Sequence, residues 1–240
     1  MSLIVTIHVE EGIVMAGDSR LTSSLTRKEG EKVIHDIGAH TSESANKVFL
    51  APNHVGISVC NEVSVNGKTI SGYLNSFLVG SVTESTPVET VPQMLLDHMR
   101  QLAPVPNTIF HVAGYEKKNN RYVARVWRVY PGRNKIDRLP AETPGACWDG
   151  ERDIIARLVN PIYLKDSRGN YVEMRTPPIP WDFMTLQDAV DFATYAIKTT
   201  MDTMRFQLRP KTVGGPIDIL VLKPEDGFWV KKKTLQAEYH

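Results

Sequence analysis

The sequence predicts an α+β domain in which antiparallel sheets pack against helices. Short apolar or alternating runs occur in pairs separated by turn residues, which is typical of β-hairpins. Segments with apolar residues at i, i+3, i+4 and i+7, the period of a helix that buries one face, interrupt these pairs. Paired strands with helices inserted as blocks favour antiparallel sheets over the parallel sheet of alternating strand–helix units.

The chain begins with a predicted hairpin. Residues 3–9 alternate between two faces, Glu10-Glu11-Gly12 supplies a turn, and a second apolar run follows at 13–16. The polar stretch 21–45 predicts a long loop or an extended hairpin, inserted between strands. Runs of the same kind predict further strands at 47–51, 55–60, 108–114, 122–130 and 217–222, with a last strand ending at Lys231.

Helical periodicity predicts four helices, at about 70–78, 88–102, 154–158 and 186–206. The last has the strongest pattern, and Thr185 with Asp188 three positions later is typical of a helix start. The proline-rich stretch 160–184 predicts a surface insertion rather than a domain boundary. We therefore expect one domain over residues 1–240, with insertions at about 21–45 and 160–184.

Composition excludes several classes of protein. The 240 residues carry a net charge of +1, whereas nucleic-acid binders usually have a strongly basic face. Two cysteines and scattered histidines make neither a disulfide framework nor a metal site. Because the chain shows no signal peptide or membrane-spanning run, we expect a cytoplasmic protein without metal, cofactor, nucleic acid or membrane partner.

A possible nucleophile stands at the start of the chain. Serine after Met1 is small enough to permit removal of the initiator methionine, which would leave Ser2 with a free α-amine. An α-amine titrates near pH 7.7–8.0, so it can serve as base for the hydroxyl of its own residue. Many proteins begin Met-Ser without any catalytic role, so this dipeptide alone is weak evidence.

The segment from Ser2 to Arg20 resembles the N-terminus of mature proteasome β-type subunits. Those subunits open with a threonine nucleophile, a strand, a turn ending in glycine, an apolar strand, and Asp-Ser/Thr-Arg. The spacing from Ser2 to Asp18 matches the family, with serine in place of threonine, whereas Thr6 is out of register. Further segments that resemble the family, in order, are 47–49, 55–61, 111–115 and 213–218. Bacterial relatives such as HslV and the Anbu proteins are the nearest in this resemblance.

The resemblance implies the fold of N-terminal-nucleophile (Ntn) hydrolases, an αββα sandwich of two antiparallel sheets flanked by helices. It implies that Ser2 cleaves peptide or amide bonds, with Lys47 stabilising the nucleophile and Asp18 orienting that lysine. The backbone near Cys60 or Asn61 would bind the oxyanion, and Arg20 and Cys147 are possible supporting residues. It also implies a homo-oligomeric ring or ring-like assembly, with an ATPase unfoldase as a candidate partner.

The chain also departs from the family pattern. Proteasome subunits place Asp and Ser before the Gly-Gly strand, but the matching positions are Pro210 and Val213, and Thr212 is one residue out of register. A Gly-Ser-Gly turn is expected where this chain has Gly145-Ala146-Cys147. Two alternatives therefore remain: a non-catalytic assembly subunit with this fold, or an amidase acting on a small metabolite.

Overall fold

A computed structural model of the chain describes residues 2–30, 32–141, 143–174 and 176–234, with the backbone alone over 23–29 and 32–41. The strands are β1 (Leu3–Val9), β2 (Gly12–Gly17), β3 (Leu21–Glu29), β4 (Lys32–Ser42), β5 (Val48–Leu50), β6 (Gly56–Asn61), β7 (Ser64–Val65), β8 (Lys68–Thr69), β9 (Thr108–Lys118), β10 (Arg121–Tyr130), β11 (Lys135–Leu139), β12 (Gly145–Gly150), β13 (Ile162–Lys165), β14 (Tyr171–Met174), β15 (Asp218–Lys223) and β16 (Asp226–Lys231). The helices are α1 (Ile70–Ser81), α2 (Val91–Arg100), α3 (Asp153–Val159) and α4 (Leu186–Arg205).

Two five-stranded antiparallel sheets form the centre of the molecule. The first sheet has the strand order β12-β1-β2-β15-β16, and the second has the order β11-β10-β9-β6-β5. Helices α3 and α4 pack on the outer face of the first sheet, and α1 and α2 pack on the outer face of the second. This is a four-layer αββα sandwich, so the predicted fold class is confirmed.

Strand β2 shows how the layers are built. Its side chains alternate, so that Ile13 and Met15 face the second sheet while Val14 and Ala16 face α4. Burial on both faces explains why this strand reads as a continuous apolar run rather than an alternating one. Gly56 lies where the sheets approach closely, because a Cβ there would be 2.4 Å from Met15 Sδ.

The long C-terminal helix begins as its sequence predicts. The Thr185 side chain accepts a hydrogen bond from the backbone N–H of Asp188, and the Asp188 carboxylate accepts one from the Thr185 backbone. The face that packs on the first sheet consists of Ala189, Val190, Ala193, Ala196, Ile197 and Met204.

Several elements differ from the sequence-based expectations. The stretch 21–45 is largely a β3–β4 hairpin, one of the two forms expected for it, whereas the expected loop at 160–184 contains an exposed hairpin, β13–β14. Strands β11 and β12 had no predicted counterpart. Residues Gly145–Cys147, expected near a turn, lie inside β12, which pairs with β1 along its whole length. Among the described residues no helix is long and apolar enough to cross a membrane.

Candidate active site

Asp18 is the centre of a buried hydrogen-bond network at the end of β2. Its Oδ1 accepts hydrogen bonds from Lys47 Nζ at 2.8 Å and from the backbone N–H of Leu3 at 3.0 Å. Its Oδ2 accepts hydrogen bonds from the backbone N–H groups of Arg20 at 3.2 Å and Gly214 at 3.0 Å. Four donors satisfy this buried carboxylate, which fixes the end of β2 against the start of β1 and the segment before β15.

Lys47 lies just before β5 and is buried as deeply as its partner. Its ammonium group donates to Asp18 Oδ1 and to the backbone carbonyl of Arg20 at 2.5 Å. Burial lowers the pKa of Lys47, and the negative charge of Asp18 opposes that shift. The structure therefore places a buried amine, paired with a carboxylate, at the side of the pocket that also contains Ser2.

Ser2 immediately precedes β1 and is 1% exposed. Its carbonyl oxygen accepts a hydrogen bond from the backbone N–H of Glu151 at 2.8 Å. A small pocket, with an empty volume of about 280 Å³, has Ser2 in its wall. The other lining residues are Leu21, Ala45, Asn46, Lys47, Val59, Cys60, Asn61, Glu62, Val63, Ile70 and Ser71. Of the predicted residues, Ser2, Lys47, Cys60 and Asn61 thus share one pocket.

Cys60 and Asn61 end strand β6 at this pocket. Burial raises the pKa of the Cys60 thiol well above its ordinary range, so the group remains a neutral thiol and is a poor nucleophile. Asn61 has a φ of 77°, a left-handed conformation that ends the extended strand. An oxyanion site formed by the backbone here stays a prediction.

Arg20 contributes its backbone carbonyl to Lys47, while its side chain points to other segments. The guanidinium forms an ion pair with Glu43 at 2.6 Å and donates to the carbonyl of Lys211 at 2.9 Å. A Cβ on Gly214 would lie 2.4 Å from the guanidinium carbon, so glycine leaves the space that this side chain occupies. Arg20 therefore stabilises the loops that surround Asp18.

The structure does not place Cys147 at the pocket that Ser2 and Lys47 line. In the β1–β12 pairing Leu3 is opposite Gly150, and Thr6 is opposite Cys147. Cys147 therefore lies further along the strand, in contact with His111. The turn beside Ser2 is made by Gly150, whose φ is 98°, rather than by the Gly145-Ala146-Cys147 stretch.

Glu151 and its partners were not found by sequence reasoning. The buried Glu151 carboxylate accepts a hydrogen bond from Thr212 Oγ1 at 2.9 Å and pairs with Arg209, which also binds Asp153. These contacts link the turn at Ser2 to the chain after α4. In the sequence Thr212 is one residue out of register with the family pattern, and no local pattern marks Glu151. Val213, at an expected serine position, is buried against the first sheet instead.

Solved structures with a similar fold were found for almost the whole chain. An Anbu variant from Hyphomicrobium sp. strain MC1, the Gly-1 mutant, superposes with a TM-score of 0.62 at 17% identity, covering 97% of this chain and 86% of that one. Anbu from Yersinia bercovieri, described as an ancestral β-subunit, gives a TM-score of 0.59 at 16% identity, covering 97% and 88%. The chain has the fold of the Anbu proteins. The predicted resemblance to proteasome-related proteins is thereby confirmed at the level of fold.

The sequence comparisons add no closer relative. No family model matches the chain, and no curated protein matches it by sequence. At this identity the Anbu likeness concerns the arrangement of sheets and helices, and a fold by itself does not fix a reaction. The chemistry has to be argued from the residues around Ser2.

Proposed function

We propose that this protein is an Ntn hydrolase that cleaves peptide or amide bonds with Ser2 after removal of Met1. The observation that carries the proposal is the buried Asp18–Lys47 ion pair at 2.8 Å, at the pocket that Ser2 lines. A buried charged pair is costly to maintain unless it is fully hydrogen-bonded, and Asp18 here has four donors. Such a pair beside a hydroxyl is suited to stabilising an ionising nucleophile.

In the proposed reaction the α-amine of Ser2 accepts the proton of its own Oγ, and Oγ attacks the substrate carbonyl carbon. The Lys47 ammonium stabilises the negative charge that develops on Oγ, and Asp18 keeps this ammonium oriented. A backbone N–H near Cys60 or Asn61 donates to the oxyanion, a contribution of about 2.7–4 kcal/mol per donor. The amine product then leaves with the proton, and water hydrolyses the acyl ester on Ser2.

We propose further that the protein works in the cytoplasm as a homo-oligomeric ring or ring-like assembly, with an ATPase unfoldase as its candidate partner. Large apolar side chains that are strongly exposed in the single chain support self-association. They include Val79, Phe183, Phe206 and Leu208. Native mass spectrometry tests this proposal, and a strictly monomeric protein would contradict it.

Mass spectrometry of the intact purified protein tests the nucleophile directly. We expect Met1 to be absent and a β-lactone probe to add one acyl group to the protein. A Ser2→Ala variant should lose this labelling, whereas Ser81→Ala, which removes an exposed hydroxyl at the end of α1, should retain it. Retained Met1, or labelling that persists in Ser2→Ala, would contradict the mechanism.

A non-catalytic assembly subunit is the main alternative, and the same experiments separate it. The absence of the family's Asp and Ser at Pro210 and Val213 favours this alternative. It predicts an oligomer that retains Met1 and takes up no acyl group. The small volume of the pocket favours the other alternative, an amidase for a small metabolite. An amidase would hydrolyse short acyl-amides with Ser2 but leave peptides of ten residues or so intact.

A further inference from the structure

A second group of reactive side chains lies between the two sheets. Cys147 Sγ is 3.7 Å from His111 Nδ1, and His111 Nε2 is 2.8 Å from Asp149 Oδ2. The Arg128 guanidinium holds the same carboxylate oxygen at 2.6 Å. The three groups thus form a chain in which the Asp149 carboxylate orients the His111 imidazole, and the imidazole can act as a base toward the Cys147 thiol.

The hydrogen bonds determine which imidazole nitrogen can act as a base. Burial would raise the pKa of Asp149, but His111 and Arg128 together lower it, so the group is a carboxylate. A carboxylate only accepts hydrogen bonds, so Nε2 of His111 carries a proton and donates it. The other nitrogen, Nδ1, faces Cys147 at 3.7 Å and the Thr6 hydroxyl at 2.9 Å, so it is placed to take the thiol proton and hold it as an imidazolium beside the thiolate.

Cys147 lines a pocket of its own. This pocket, with an empty volume of about 680 Å³, is lined by Cys147, Thr6, His8 and Arg128 among others, and Ser2 is not part of it. Cys147 is 8% exposed, which admits a small reagent but no bulky one. The lining combines the polar side chains of Thr6, His8 and Arg128 with apolar residues, which include Val126, Leu139 and Ala146.

We propose that Cys147 is a peroxide-reactive thiol, activated by His111, at a site separate from the Ser2 pocket. His111 Nδ1 takes the thiol proton, and the thiolate sulfur then attacks one oxygen of hydrogen peroxide or a small hydroperoxide. An S–O bond forms and the O–O bond breaks, so that sulfur is oxidised by two electrons and the peroxide is reduced. The imidazolium returns its proton to the departing hydroxide as water, and Cys147 becomes a sulfenic acid.

Cys60 provides an internal control, since it is the second thiol of the chain. It is 2% exposed and no histidine lies within hydrogen-bonding distance of its sulfur among the described residues. Burial raises the pKa of Cys60. The two cysteines of one folded molecule should therefore differ sharply in reactivity.

Peroxide treatment of the wild-type protein, followed by dimedone and peptide mapping, measures both thiols in one sample. We expect dimedone adducts on Cys147 and none on Cys60, and a Cys147 rate roughly tenfold or more above that of the same protein unfolded in urea. A rate on folded Cys147 no higher than in the unfolded chain would overturn the proposal. Because this comparison uses wild-type protein, it does not depend on the folding of any variant.

Two variants test the role of the imidazole. His111→Gln removes the base, and Asp149→Asn removes the charge that holds the imidazole in place, so each should slow the oxidation of Cys147 roughly tenfold or more. Glu116→Gln, which breaks an ion pair with Arg125 elsewhere on the second sheet, should leave the rate unchanged. A folded His111→Gln protein that reacts at the wild-type rate would overturn the proposal. Ser2→Ala should also react at the wild-type rate, so this test is independent of the proposed hydrolase activity.

Discussion

The backbone N–H of Glu151 donates a hydrogen bond of 2.8 Å to the carbonyl oxygen of Ser2. This contact joins the turn after β12 to the residue that precedes β1. Gly150, the residue before the donor, has a φ of 98°, and a Cβ at this position would lie 1.8 Å from the Ser2 oxygen. The turn can therefore close on Ser2 only because residue 150 has no side chain.

We predict that Gly150→Ala lowers the free energy of unfolding by about 2 kcal/mol or more, because a left-handed backbone and a steric clash act together. It should also abolish acylation of Ser2. The matched control is Gly145→Ala in the same strand, where no atom lies within 4 Å of a Cβ. Urea unfolding should show a change within about 0.5 kcal/mol for this control. Equal effects of the two substitutions would contradict the role given to Gly150.

Asp18→Asn should destabilise the protein by about 3–5 kcal/mol, because it leaves the buried Lys47 ammonium without its counter-charge. Thermal unfolding monitored by circular dichroism measures the change. Asp137→Asn is the control, since it breaks an exposed pair with Lys135 that is worth about 0–1 kcal/mol. A loss for Asp18→Asn no greater than that of the control would show that the buried pair does not stabilise the site.

The stability of the protein should fall in alkaline solution through His111. Burial alone would lower the pKa of His111, but Cys147 and Asp149 raise it to about 9, above its ordinary value of 6.5. Because the pKa of His111 is higher in the folded than in the unfolded state, its protonation stabilises the fold. This stabilisation is fully present below the unfolded-state pKa and is lost as pH rises through about 9. Urea titrations at about pH 7 and pH 9.5 should show a lower free energy of unfolding at the higher pH.

A histidine replacement separates this effect from other titrations. His111→Gln should remove most of the difference between the two pH values. His54→Asn, which replaces an exposed histidine at a left-handed backbone position, should leave that difference unchanged. If the pH dependence survives in His111→Gln, the Cys147–His111–Asp149 group does not cause it.

Thr212→Val should cost about 1–3 kcal/mol and reduce acylation of Ser2, because it removes a hydrogen bond from the buried Glu151 carboxylate. Thr200→Val is a fair comparison, since Thr200 is equally buried and its hydroxyl donates to Ala196 within α4. We expect it to alter stability by about 1 kcal/mol and to leave acylation unchanged. Acylation at the wild-type rate in Thr212→Val would exclude a role for this link in positioning Ser2.

The sequence by itself determined the elements whose signals are local. The β1–β2 hairpin follows from alternation and a turn, and α4 follows from its apolar period and its capping residues. The approach of Asp18 to Lys47 was also predictable, because a short motif at the end of β2 carried the resemblance. When two strands are neighbours in sequence, their alternation and the turn between them can be recognised from the sequence without the structure.

The tertiary structure alone decided the rest. Strands β11 and β12 are edge strands with mixed burial, so their sequences lack a clear alternation. The partner of β12 is β1, which lies far away along the chain. Glu151 meets Thr212, and His111 meets Asp149, across the fold and far along the chain. Such contacts depend on the register of one sheet against another, which no local pattern encodes. Sequence could therefore propose Ser2 as a nucleophile, but packing decided what surrounds it and where Cys147 lies.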